Sequence, residues 1–189
     1  LTNQAAGNDL IVWPEAAIPV LYDYMAEYLD GIADMAKARG STLVLGVLTG
    51  TLEDFENSLI AMTDPPQLYT KRHLVPFGEY FPVPGFVREW LRLANLPYVD
   101  AAPGPAGQPP LEVAGQRLAV TICYEAVFGA EQLHYLPEAT LLVNVSNDAW
   151  FGDSIGPHQH LQIARVRAAE AGRYMVRGAN TGITAVIDP

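Results

Sequence analysis

The sequence predicts a layered α/β fold. Short, nearly continuous apolar runs alternate with segments of helical period along the chain. Such runs suit strands covered on both faces, and the alternation supplies helices to cover them. Glycine, proline and polar residues punctuate the runs, and no apolar stretch reaches the roughly 20 residues needed to span a bilayer as a helix.

Residues 10–13 (LIVW) form a short apolar run and read as a buried strand. Met25, Tyr28, Leu29, Ile32, Met35 and Ala36 recur at helical spacing, with Asp23 as candidate N-cap and Gly40 as candidate stop. Residues 42–47 are apolar and β-branched and read as a strand, as do residues 58–62, which lead into a Pro65-Pro66 turn. From Pro76 to Pro110 prolines and aromatic residues crowd together. Proline is excluded from helix interiors and central strands, so this stretch reads as a long loop with a short helix over residues 86–94. A loop of this length within a compact domain is usually functional. Residues 111–113 and 117–122 form a hairpin pattern turning at Ala114-Gly115. Residues 140–145 read as a buried strand, residues 158–171 as a helix packing through Ala164, Ala168 and Ala171, and residues 182–187 as a last strand.

The chain of 189 residues suits one domain with a sizeable core, and 50% hydrophobic against 17% charged residues is a globular composition. A net charge of -10 disfavours nucleic acid as a partner, and also adsorption to anionic lipid by charge alone. One cysteine excludes an internal disulfide framework and a cysteine-rich zinc site. His158 and His160 are two residues apart, which places them on different faces of a helix. With His73 they match no metal-binding spacing, so no metal site is expected.

Three segments carry chemistry. Glu15 follows the LIVWP run, Lys71 stands among Tyr69, Leu74, Val75 and Phe77, and Cys123 follows LAVTI. Each lies just beyond a strand-like run, and in open α/β sheets ligands bind at the strands' carboxyl ends. A carboxylate, an ammonium and a thiol are what nucleophilic acyl transfer requires: a base, a positive charge for the oxyanion and to lower the thiol's pKa, and a nucleophile. Taken singly, each has a plainer reading: a loop carboxylate, a solvated lysine, a small buried hydrophobe. Glu79 and Glu125 lie in the same segments and could orient and charge-balance Lys71. The aromatics Phe86 and Trp90 suit a lipid-facing lid, and Trp150-Phe151-Gly152 suits a second gating loop.

At VWPEAAIP, YTKRHLVPFGEYFP and ICYEAVF the chain resembles the nitrilase, or carbon–nitrogen hydrolase, superfamily. HLVPFGEY and SNDAWFG make it similar, within that superfamily, to the apolipoprotein N-acyltransferases. The resemblance covers essentially the whole chain. It implies an α-β-β-α sandwich with Glu15 as general base, Lys71 as the catalytic lysine, Cys123 as nucleophile and Glu79 as the family's second glutamate. Tyr124 and Glu125 are the nucleophile's neighbours, with a backbone N–H near Tyr124 helping to hold the oxyanion. It further implies a phospholipid acyl donor, an apolipoprotein acceptor, no cofactor, and a place at the periplasmic face of a bacterial inner membrane. The family's transmembrane helices do not occur in residues 1–189, and the hydrolase domain is expected to extend beyond both ends. Two other readings stay open at this point: a soluble amidase or carbamoylase acting on a small amide, and a catalytically silent binding module.

Overall fold

The structure, a computed structural model, describes residues 2–87 and 100–189. After a short helix α1 (Thr2–Ala5), strand β1 (Leu10–Val12) leads through helix α2 (Ala26–Lys37) to β2 (Thr42–Gly50), β3 (Phe55–Ala61) and β4 (Gln67–Thr70). These four strands form one sheet in sequence order, parallel between β1 and β2 and antiparallel thereafter. The second half contributes β5 (Leu111–Val113), β6 (Gln116–Ile122), a short helix α3 (Gly129–Gln132), β7 (Leu141–Asn147), helix α4 (Gly156–Ala171), β8 (Met175–Asn180) and β9 (Ala185–Ile187). Its five strands also run in order, with β6, β7 and β8 parallel.

The period of two along the strands builds the layers. In β2, Val44 faces the second sheet, packing in a cluster with Leu59, Leu118, Val120, Val143 and Val145, while Leu43, Leu45 and Val47 face α2 at Leu29 and Ala36. In the second sheet, Ala119 and Leu142 face α4 at Ala164 and Ala168. The order is therefore helix, sheet, sheet, helix, and the small residues of α4 let it lie close on its sheet, as the sequence predicts.

Several elements differ from the sequence reading. Asp23 does not cap α2. It sits in a 3-10 turn (Tyr22–Tyr24) that runs on into the helix, where Met25 N–H bonds the carbonyl of Tyr22 and no side chain caps the first turn. α4 begins at Gly156 rather than residue 158, because the fixed φ of Pro157 suits a first helical turn. The strand expected over residues 182–187 is shorter, and a central strand, β8, precedes it. The Ala114-Gly115 turn is as expected, both residues having positive φ, as a tight hairpin turn requires. Between Pro76 and Pro110 the described residues are mostly loop, tied back by backbone bonds from Ala101 to Glu79, from Ala102 to Phe55 and from Gly104 to Lys71. Residues 85–87 are helical; the remainder of the short helix read over residues 86–94, and Trp90 with it, lies outside the described residues.

Leu59 is fully buried between the sheets. Leu59→Ala is expected to cost about 2–5 kcal/mol in unfolding free energy, read by denaturant titration, because a rigid two-sheet core closes poorly over the void.

Candidate active site

The ends of β1, β4 and β6 place Glu15, Lys71 and Cys123 on one cavity. It has a volume of about 760 Å³ and a mostly apolar lining. Glu15 reaches it because the chain after β1 crosses directly over Gly46 of β2. A Cβ on residue 46 would stand 2.2 Å from the Pro14 carbonyl oxygen and 2.8 Å from Glu15 Cα. Cys123 turns sharply off β6 with φ +52°, in the left-handed region that L-residues rarely adopt.

Lys71 is only 1% exposed. Its Nζ donates to Glu79 Oε1 at 2.7 Å and to Glu15 Oε1 at 3.2 Å. Asn57 Nδ2 donates to the same two oxygens, at 2.7 Å to Glu15 and 3.2 Å to Glu79. The second oxygens are also held: Asn147 N–H donates to Glu15 Oε2 at 2.6 Å, and Val75 N–H to Glu79 Oε2 at 2.8 Å. Burial works to lower the Lys71 pKa, but the two carboxylates outweigh it and hold the group well above the ordinary lysine range. Lys71 is thus an ammonium, suited to stabilising negative charge and unsuited to taking a proton.

Glu125 does not touch Lys71. It accepts from Ile122 N–H at 2.8 Å, Arg72 N–H at 2.7 Å, His73 N–H at 3.2 Å and the Tyr69 hydroxyl at 3.0 Å. It therefore ties the backbone just after Lys71, and the Tyr69 side chain before it, to the end of β6. This corrects the expectation that Glu125 balances the lysine's charge: Glu79 and Glu15 do so, while Glu125 orients the segment that carries it.

The thiol also departs from expectation. Burial pushes Cys123 up to about 11 and the Glu15 carboxylate adds to this. The Lys71 ammonium and a Ser146 hydrogen bond act in the opposite sense without prevailing. At neutral pH Cys123 is a protonated thiol, so its proton must leave as it reacts.

Tyr124 lines the cavity beside Cys123. Trp150 and Phe151, on a 3-10 turn (Ala149–Phe151), stand at its wall, with Trp150 largely exposed. Phe86 is exposed and is not among the described side chains that line the cavity. Behind Cys123 lies a second polar cluster. Asp148 accepts from Arg177 Nη2 at 3.0 Å and from Ser146 Oγ at 2.7 Å, and His160 Nδ1 lies 2.8 Å from it. Arg177 also donates to Asn144 Oδ1. Burial works to raise the Asp148 pKa, yet these hydrogen bonds and the charges of His160 and Arg177 outweigh it and hold the carboxyl below its usual range. Among the described residues, Cys123, Asp148 and His160 offer three potential metal-ligand atoms within 4.8 Å of one another. Both His160 ring nitrogens already face protein acceptors, Asp148 and the Cys123 carbonyl.

The sequence reading assigned no role to Asn57, Gly46, Ser146, Asp148 or Arg177. The signals were present: a glycine inside the apolar run of β2, an asparagine inside β3, and a charged residue inside the apolar pattern of β8.

The carbon-nitrogen hydrolase family model matches residues 2–189. The chain belongs to the carbon-nitrogen hydrolase family. Among relatives of this carbon-nitrogen hydrolase, apolipoprotein N-acyltransferase of Nitrosomonas europaea is 47% identical over 98% of the chain, and that of Methylococcus capsulatus 44% identical over 100%. The chain spans 38% of the length of each. Solved structures share the fold. The NitFhit protein of C. elegans has a TM-score of 0.75 at 20% identity, with 99% of this chain and 50% of that one covered. An amidase from Nesterenkonia sp. has 0.66 at 20%, with 100% and 73% covered.

Two outcomes are expected. Gly46→Ala should destabilise the protein by about 1–3 kcal/mol in thermal or denaturant unfolding, since the added methyl meets backbone rather than a movable side chain. Alkylation of Cys123 by iodoacetamide should be slow at pH 7 and accelerate about tenfold per pH unit above it, levelling only near the thiol's pKa of about 11. A plateau already reached at pH 7 would show a resting thiolate instead.

Proposed function

We propose that the chain is the catalytic part of an apolipoprotein N-acyltransferase. It would move an acyl group from a phospholipid to the α-amine of an N-terminal diacylglyceryl-cysteine. The observation that carries this reading is a buried carboxylate, ammonium and thiol meeting on one spacious, mostly apolar cavity. An acyl chain requires such a lining, whereas a small polar amide does not. The names and whole-chain similarity of the relatives support it.

In the first step Glu15 takes the Cys123 proton as sulfur adds to the ester carbonyl, forming the C–S bond. The raised pKa of the thiol makes this concerted help necessary. The Lys71 ammonium and the Tyr124 backbone N–H stabilise the oxygen that becomes negative. The C–O bond then breaks, Glu15 returns the proton to the departing alkoxide, and lysophospholipid leaves a thioester on Cys123. In the second step the lipoprotein amine adds to the thioester and Glu15 takes its proton. The C–S bond breaks and the thiolate is reprotonated. Glu79, hydrogen-bonded to Lys71 throughout, keeps the ammonium in place when Glu15 is protonated.

The exposed Phe77, Val127, Trp150 and Phe151 give the cavity an apolar rim, suited to a bilayer surface from which a lipid could enter. Among the described residues no helix is long and apolar enough to cross a membrane. The periplasmic face of the bacterial inner membrane is the location proposed for the complete protein.

Intact-mass spectrometry after incubation with phosphatidylethanolamine tests the reading, using the complete protein that contains this chain and its Cys123→Ala variant. The expected result is a mass gain of one acyl group, removed by hydroxylamine and absent from the variant. No adduct on the complete protein, with turnover of small amides instead, would replace the acyltransferase reading with an amidase.

A further inference from the structure

The mechanism above uses the face of Cys123 that meets the cavity, yet the residue is also held from behind. His160 is buried on α4, and its ring lies between two oxygen acceptors. Nδ1 is 2.8 Å from Asp148 Oδ1, with Ser146 Oγ at 3.5 Å, and Nε2 is 3.1 Å from the carbonyl oxygen of Cys123. A carbonyl only accepts, so Nε2 donates to the Cys123 oxygen, and Nδ1 faces Asp148. Nε2 is engaged with the backbone oxygen, which leaves His160 poorly placed to take a proton from sulfur. The ring is itself fixed: Asp148 is anchored by Arg177 and Ser146, and Phe151 packs edge-on at a centroid distance of 6.2 Å.

The peptide between Cys123 and Tyr124 is planar and trans, so its carbonyl and its N–H point in opposite directions. Whatever holds the carbonyl also sets the direction of the N–H. Cys123 has φ +52°, a conformation that persists only when its surroundings impose it. The bond from His160 is such a constraint, reaching across 37 residues from another element.

We propose that His160 is a positioning residue for acyl transfer: by holding the Cys123 carbonyl, it aims the Tyr124 N–H at the oxygen that becomes negative when sulfur adds to the ester. His160 neither gives nor takes a proton in this role. The inference rests on the acyl-transfer reading of Cys123. A donor fixed in advance needs no reorganisation as charge develops, which is why such groups accelerate acyl transfer strongly.

Two reactions at the same sulfur separate this role from a merely structural one. Thioester formation with phosphatidylethanolamine passes through an oxyanion, whereas alkylation by iodoacetamide does not. Both rates are to be measured at one pH on the complete protein in detergent micelles. His160→Leu is expected to slow acylation about 100-fold, the scale of losing one oxyanion donor, while alkylation stays within about threefold. His160→Gln, which keeps a donor of similar reach, should recover part of the acylation rate. If the leucine variant fails to fold by thermal melting, His160→Asn takes its place, with donor chemistry kept but reach lost. Equal slowing of both reactions, or acylation unchanged in the variants, overturns the proposal. A wild-type protein that alkylates but forms no thioester overturns the underlying reaction, and the role of His160 with it.

Discussion

Two carboxylates cross between the sheets, and the site depends on that exchange. Glu15 leaves the first sheet and accepts the backbone N–H of Asn147 at the end of β7 in the second. Glu125 follows β6 in the second sheet and accepts the N–H groups of Arg72 and His73, just past β4 in the first. Each satisfies part-buried backbone donors, whose loss would cost about 1–3 kcal/mol apiece. Together they fix the distance between the strand ends that carry Lys71 and Cys123.

The positive charge in this gap is more than compensated locally. An isolated buried ammonium would lose its proton, but Lys71 faces two carboxylates and keeps it. Asn57 supplies a second donor to the same pair of oxygens, easing the repulsion between two acids on one cation. Its own Oδ1 has no partner among the described residues. The opposite amide orientation would aim that oxygen at both carboxylates, so the orphaned acceptor is the lesser cost. The chain keeps a charged, hydrogen-bonded lysine next to a thiol whose pKa burial holds up.

A second buried cluster, around Asp148 and Arg177, backs Cys123 from the side of α4, where His160 meets its carbonyl. Arg177 is fully buried, which is tolerable because its guanidinium meets Asp148, Asn144 and the Ile183 carbonyl. Cys123 thus sits between two polar networks anchored in different layers, while the cavity they flank is largely apolar. Polar groups hold the chemistry in place, and apolar surface is left for the substrate.

By itself the sequence determined the alternation of elements, the covered strands and the three segments that bear a carboxylate, an ammonium and a thiol. Those features are local: side-chain period, turn residues and motif spacing are written within a few positions of each other. Strand β8 was hidden because Arg177 breaks an apolar run, and only a distant Asp148 makes its burial affordable. Gly46 and Asn57 stood out only as odd residues inside strands, and their roles, like that of His160, consist of contacts with Pro14, Glu15 and the Cys123 carbonyl that the chain makes only when both sheets are packed. The direction of the thiol's pKa was likewise decided by tertiary structure. Burial is a property of the folded layers, and here it outweighs the neighbouring lysine that the sequence alone would favour.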